Sequence, residues 1–285
     1  MSFRSILKAE GFLTLPGAHD AISARLIQQA GFKAYFIGGF PLIGARFGLP
    51  DVGLATLGEI SAAVRDILSA CDLPVMVDGD NGYGDTKTLV HTLHTYERLG
   101  VTALMFEDQV APKRCGHIAG KDVIPMDRMG ANIRAAVQNR MYPETFILAR
   151  TDARDVTGLD DAFRRAERYL AAGADGLFIE SPHNIEELTL IGRTFDVPQM
   201  ANMLEGGRTP VLKPSELIEL GFGMGVYGIS LLLHSVRTMQ EILSKLKAED
   251  LSFIGKGAGF DEFKSIVGFE RWASIEGRQR DNGGR

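Results

Sequence analysis

The stretch "EDQVAPKRCGHIAGK", residues 107–121, places two carboxylates, Lys113, Arg114, Cys115, Gly116 and His117 close together along the chain. Only one other cysteine exists, Cys71 in "LSACDLP", where a small apolar residue packs between a helix and a strand. Cys115 differs because cations flank it, and nearby positive charge draws a thiol pKa below its reference of about 8.5. Such a thiol serves as a nucleophile or as a proton donor. A nucleophile needs its own base and an oxyanion hole, and the sequence names neither, so proton delivery beside a metal-bound substrate fits better.

The metal reading rests on carboxylates at strand ends. "VDGDNGYG" (77–84) offers Asp78 and Asp80 two apart, among glycines that let backbone approach closely. Glu107 ends the next apolar run, and Arg150, Asp152, Glu180, Asn202 and Glu205 end later ones. Asp152 and Asp160, taken singly, read as helix caps or solvated charges. Several uncompensated carboxylates aimed at one mouth repel unless a cation sits among them. Mg²⁺, or Mn²⁺ in its place, suits this set, because it binds through one or two carboxylates plus waters and substrate oxygens.

Those residues need a frame that brings strand ends together. "QQAGFKAYFIGG" (28–39), "ERLGVTALMFED" (97–108), "LAAGADGLFIE" (170–180) and "IELGFGMGVYG" (218–228) share one shape: a helix end, a glycine, then a short apolar run. Glycine enters the left-handed conformation that closes helices, and an unbroken apolar run marks a parallel strand buried on both faces. Eight strands are predicted, at 13–17, 34–38, 74–80, 103–108, 146–151, 176–180, 199–203 and 224–228. Eight strands alternating with helices over roughly 250 residues is the rhythm of a (β/α)8 TIM barrel, whose chemistry gathers at the C-terminal strand ends. An open doubly wound sheet is the alternative, but no glycine-rich phosphate fingerprint follows the first strand. The expected organisation is one α/β barrel domain over 1–285, with a C-terminal helical extension at 247–280.

Composition narrows the partners. A net charge of −5 gives no polybasic footprint, which argues against nucleic acid and anionic membrane. No run approaches the ~18 apolar residues of a membrane span, and "MSFRSILKAEG" has no signal-peptide core. Two cysteines make no disulfide framework, so a cytoplasmic home is expected.

Taken together, "EDQ" before "PKRCGH", "GLPDVGL" (48–54), the Asp-Gly-Asp with "GYG", "ARTDAR" (149–154), "AGADGLFIE" and "ANMLEGGRTP" (201–210) resemble the isocitrate lyase / phosphoenolpyruvate mutase superfamily, over nearly the whole chain. The resemblance implies a Mg²⁺-dependent carbon–carbon lyase on a (β/α)8 barrel. It also implies a homotetramer, or a dimer, that exchanges a C-terminal helix, here residues 260–276. By motif, Asp51, Asp78, Asp80 and Glu107 look like the metal shell. Gly38 and Gly39 would offer N–H groups to a 2-keto-acid carboxylate that Arg150 clamps, with Glu180 and Asn202 completing the pocket. Lys113, Cys115, Gly116 and His117 fall on what is a gating loop in the superfamily, with Cys115 as the proton donor.

Departures from the pattern bear on substrate. Gly38 stands after Ile37 where relatives often have a serine before the glycine, Asn81 replaces a threonine, and Phe36 replaces a tyrosine. Methylisocitrate lyases place an arginine on the eighth strand's sequel where this chain aligns Leu233, leaving a third carboxylate unpaired at a cost of about 2–5 kcal/mol. The resemblance therefore implies a small dicarboxylate: 2,3-dimethylmalate, another 2-alkylmalate, or oxaloacetate cleaved to oxalate and acetate, with Thr209 as a further contact. The alternatives are a carboxyphosphonoenolpyruvate or phosphoenolpyruvate mutase, a methylisocitrate lyase, and a catalytically inactive barrel that binds partners.

Overall fold

The computed structural model describes residues 2–113, Gly116 and residues 120–282. Arg114, Cys115 and His117 therefore lie outside the described residues. In chain order the elements are α1 (Phe3–Glu10), β1 (Leu13–Pro16), α2 (Ala21–Gln29), β2 (Tyr35–Ile37), α3 (Gly39–Phe47), α4 (Leu57–Leu68), β3 (Val75–Asp78), α5 (Thr86–Arg98), β4 (Ala103–Glu107), α6 (Met126–Asn139) and β5 (Phe146–Thr151). Then follow α7 (Ala153–Val156), α8 (Leu159–Ala171), β6 (Gly176–Ile179), α9 (Ile185–Thr194), β7 (Met200–Asn202), α10 (Pro214–Leu220), β8 (Met224–Tyr227), α11 (Ser230–Lys247), α12 (Phe260–Ile266) and α13 (Phe269–Asn282). Each of the eight expected strands is present within a residue or two of its expected ends.

All pairings between these eight strands are parallel. β2 to β6 pair in sequence order, and β8 lies between β1 and β7. Parallel bridges Gly17–Phe36 and Leu177–Gln199 join the two runs, so the strands close into an eight-membered ring. Period-two alternation sends successive side chains to opposite faces. Outward residues such as Tyr35, Val77, Leu104, Phe106, Ile147 and Ile179 pack with the helices, while inward Leu15, Phe36, Met76, Met105, Leu148, Phe178, Met200 and Val226 form a separate core. Phe3, Ile6 and Leu7 of α1 join that inner core.

The helices start where capping chemistry places them. Asp20 and Thr56 form capping boxes with Ser23 and Glu59, and Asp85 caps α5. Each side-chain oxygen satisfies amides that have no partner inside the helix.

The chain divides into two compact units, Met1–Leu232 and Leu233–Arg285. The first is the barrel. The second begins within α11, ahead of the 247 at which the extension was expected, and carries α12 and α13. Phe260 and Trp272 on these helices are 80% and 65% exposed. Exchange of a helix between copies stays an expectation from the resemblance. Among the described residues no helix is long and apolar enough to cross a membrane.

Candidate active site

The same alternation that builds the inner core builds the site. Two residues beyond the last inward apolar side chain of each strand comes the next inward position, at the C-terminal mouth. Met76 is followed by Asp78, Met105 by Glu107, Leu148 by Arg150, Phe178 by Glu180 and Met200 by Asn202. On β2, β8 and β1 the equivalent residues are Gly38, Gly228 and Gly17. Polar groups thus line the mouth at five strands and glycines leave space at the other three.

Arg150 lies at the centre of the polar half. Its Nε and Nη2 donate to Asp152 Oδ2 and Oδ1 at 2.9 and 3.1 Å. Nη1 is 3.2 Å from Glu107 Oε2 and Nη2 is 3.5 Å from Glu180 Oε2, while the guanidinium sits 5.5 Å from the Phe178 ring centroid. Burial disfavours its charge, but Asp152, Glu107 and Glu180 outweigh burial and hold it protonated well above its ordinary range. Asp152 is therefore not the helix cap expected of it: its side chain makes no cap bond to α7 and grips Arg150 instead. Asp108 beneath it accepts from Thr151, Tyr169, Arg165 and the Asp152 amide, a purely architectural role.

Lys113 sits among the remaining carboxylates, its Nζ 2.7 Å from Asp51 Oδ1 and 2.6 Å from Asp80 Oδ1. Asp80 has φ +49°, and its amide donates to Asp78 Oδ1, so the chain folds back over the end of β3. Gly79 permits this, because a Cβ there would lie 2.7 Å from the Phe106 ring. Burial opposes the Lys113 charge, yet Asp80, Asp51 and Asp78 raise its pKa well above normal.

The carboxylates are under the opposite pressure. Burial, then Asp80, pushes Asp78 up to about 6. Burial lifts Glu107 well above the usual carboxylate range, with Arg150 pulling the other way, and burial also raises Asp51 against the pull of Lys113. Glu107 Oε1 is buried without a hydrogen-bond partner among the described residues.

Most of these groups line one cavity of about 60 Å³. Its polar wall is Asp51, Asp78, Glu107, Lys113, Arg150, Glu180 and Asn202; its apolar wall includes Phe40, Pro41, Leu204, Val226 and Ile229. Gly38 and Gly39 enter it as the N-terminus of α3, where backbone N–H groups and the helix dipole favour an anion. Four carboxylates face two cations, an excess of two negative charges among the described lining residues. That excess, the raised pKa values and the unpartnered Glu107 oxygen fit a divalent ion. No three acids, histidines or cysteines converge into a ready-made cage among the described residues, so the expected four-carboxylate shell is not a closed one. Mg²⁺, which keeps waters and takes substrate oxygens, would not need such a cage.

Gly116 closes over this floor. A Cβ there would lie 2.6 Å from both Arg150 Nη2 and Glu180 Oε2, so any larger residue has to push one of these side chains aside. Thr209 is buried but does not line the cavity, and Leu233 falls in the second unit. Cys115 and His117 are outside the described residues.

The model of the phosphoenolpyruvate phosphomutase family matches residues 3–247. The chain belongs to this family. Among curated family relatives, 2,3-dimethylmalate lyase of Eubacterium barkeri is 38% identical over 96% of this chain and 95% of its own. A carboxyvinyl-carboxyphosphonate phosphorylmutase of Arabidopsis thaliana is 37% identical over 97% of this chain and 83% of its own. Among solved structures, one of 2,3-dimethylmalate lyase superposes with a TM-score of 0.90 at 31% identity, covering 97% of this chain and 94% of the other. Oxaloacetate acetylhydrolase with 3,3-difluorooxalacetate superposes with a TM-score of 0.89 at 27% identity, covering 96% and 93%.

Sequence reading missed Lys121, whose side chain is buried against Gly116 and Asp152. It also missed Ser181, which holds φ +60° and donates to the Gly116 carbonyl at 3.1 Å. A lone lysine after Gly120 gives no sequence signal of burial, since lysines are ordinarily solvated.

Proposed function

We propose that this protein is a carbon–carbon lyase that cleaves a 2-hydroxy dicarboxylate such as 2,3-dimethylmalate or another 2-alkylmalate, or that splits hydrated oxaloacetate into oxalate and acetate. One observation carries the reading: a single small cavity sets an anion clamp and a carboxylate cluster beside an apolar wall. The full-length similarity to 2,3-dimethylmalate lyase supports it.

Arg150 and the α3 N-terminus at Gly38 and Gly39 take the carboxylate next to C2, the guanidinium supplying positive charge while its Nε and Nη2 stay on Asp152. Asp51, Asp78, Asp80 and Glu107 would hold Mg²⁺, directly or through water. Mg²⁺ supplies Lewis-acid stabilisation of the negative charge that develops on the C2 oxygen. Phe36 lines the cavity and offers no phenol, which leaves a carboxylate of this cluster or a bound water to take the hydroxyl proton. The C2–C3 bond then breaks: C2 becomes the ketone, and its bonding electrons become an enolate at C3. The Cys115 thiol protonates that carbon; its sequence neighbour Gly116 lines the cavity. From 2,3-dimethylmalate the products are pyruvate and propanoate.

The apolar wall favours an alkyl substituent over a third anion. Among the described lining residues that wall offers no further cation for a phosphonate or a third carboxylate. The protein is proposed to work in the cytoplasm as a homotetramer. The experiment is a panel with Mg²⁺: 2,3-dimethylmalate, other 2-alkylmalates, oxaloacetate, 2-methylisocitrate and a phosphonate substrate. Keto-acid release is followed by a coupled dehydrogenase and oxalate by chromatography. Turnover of a 2-alkylmalate or oxaloacetate is expected, and silence on all of them with turnover of the phosphonate would transfer the protein to the mutases.

A further inference from the structure

Lys121 is 2% exposed at its side chain yet does not line the cavity. A lysine is almost never so buried unless paired, and an ammonium has three donors to place. Here all three have targets. Nζ donates to the Gly116 carbonyl and to Asp152 Oδ1 at 2.9 Å, and lies 3.4 Å from Asp155 Oδ2. Each target leads elsewhere in the site. Gly116 rests on Arg150 and Glu180, and its carbonyl also accepts from Ser181. Asp152 holds Arg150 with both its oxygens. Asp155 is tied to His183 at 2.9 Å and to Arg208 at 3.0 Å, in the segments after β6 and β7.

We infer that Lys121 is a positioning residue: it fastens Gly116 to Asp152 and thereby sets the Arg150 guanidinium for the carboxylate it grips. This rests on the reading of Arg150 as a carboxylate clamp. Charge explains why a lysine is used. Asp108 is paired with Arg165, but Asp152 also lies beside Glu107, and Arg150 alone leaves those two acids in excess. The second cation lets Asp152 stay a two-oxygen acceptor, which keeps the guanidinium plane fixed. Removing it frees Gly116 and loosens Arg150 together, without deleting any group that touches substrate.

The test uses the full-length protein with Mg²⁺ and oxalate as the probe, comparing wild type with Lys121→Met, Lys121→Gln and Lys121→Arg. Oxalate affinity is measured by calorimetry, thermal stability by melting, and amide exchange in the peptide 108–120 by mass spectrometry. Lys121→Met and Lys121→Gln are expected to weaken oxalate by about 10-fold or more, up to the roughly 10²-fold that an ångström misplacement can cost, and to speed exchange in that peptide. Lys121→Arg, which keeps the charge and donors, binds oxalate more tightly than either. A purely structural lysine would lower the melting temperature and leave oxalate affinity alone, and that result overturns the inference. So does an arginine variant no better than methionine. If Lys121→Met fails to fold, the glutamine and arginine variants decide by the same criteria. If wild type itself binds no oxalate, the functional reading falls, and exchange in 108–120 decides alone: unchanged rates in the variants overturn the inference.

Discussion

At the scale of single residues, strand parity made most of the site legible. Asp78, Glu107, Arg150, Glu180 and Asn202 each end an apolar run, and a charge closing such a run has to point either into the barrel or at the helices. Asp152 and Lys121 were not legible, because their meaning is their burial, and burial of a loop side chain depends on contacts between distant segments. Gly116 shows how tight the arrangement is. Gly116→Ala is expected to leave the fold intact and cut kcat/KM for the cleaved substrate by about 10²-fold, since its Cβ displaces Arg150 or Glu180. Near-normal kinetics in that variant would mean the cavity floor yields easily. The acids also fix a pH dependence. Asp78, Glu107 and Asp51 have raised pKa values in the folded protein, so their contribution to stability is full below the usual carboxylate range of about 4. It is lost as pH rises, for Asp78 through about 6. A divalent ion binds the deprotonated form, so it restores what is lost. Melting curves with EDTA and with Mg²⁺ should therefore coincide near pH 5 and separate progressively above about 6; an equal gap at both ends contradicts the assignment.

At the scale of elements, the repeated helix–glycine–strand unit gave the eight strands close to their true limits. Continuous apolar runs bounded by glycine leave little freedom for parallel strands buried on both faces. The short α1, which fills the barrel with Phe3, Ile6 and Leu7, was not foreseen, because eight residues hold too few turns to display a period. Nor was α7, a single turn whose start is set by Arg150 rather than by its own cap. Closure of the ring has a single-residue test. A Cβ on Gly17 would fall 1.9 Å from the Gly228 carbonyl oxygen, where β1 meets β8. Gly17→Ala should cost about 3 kcal/mol or more, lowering the melting temperature by roughly 6–12 °C, and an unchanged melting temperature would mean that the strands do not pack this closely.

At the scale of the molecule, the sequence gives a barrel of the right size but places the extension at 247, whereas the second unit starts at Leu233 within α11. Helical periodicity runs unbroken from 230 to 247, so nothing in the pattern marks a division there. Several large apolar side chains of the second unit, among them Leu243, Ile254, Phe260 and Trp272, are more than half exposed, and apolar groups left to water in number mark interaction surfaces. Self-association is expected, with a solution mass that is a multiple of 31.0 kDa. Because Trp272 is the only tryptophan, its emission should shift to longer wavelength as dilution breaks the assembly apart, and a monomeric mass at all concentrations would refute this.

The cavity's charge excess ties all three scales to function, and one titration addresses it directly. Protein stripped with EDTA and then passed into metal-free buffer is assayed on 2,3-dimethylmalate and oxaloacetate at pH 7.5 while Mg²⁺ is added back. Cleavage absent from the stripped protein and rising to saturation with Mg²⁺ is the predicted result. Equal turnover before any Mg²⁺ is added would contradict the account.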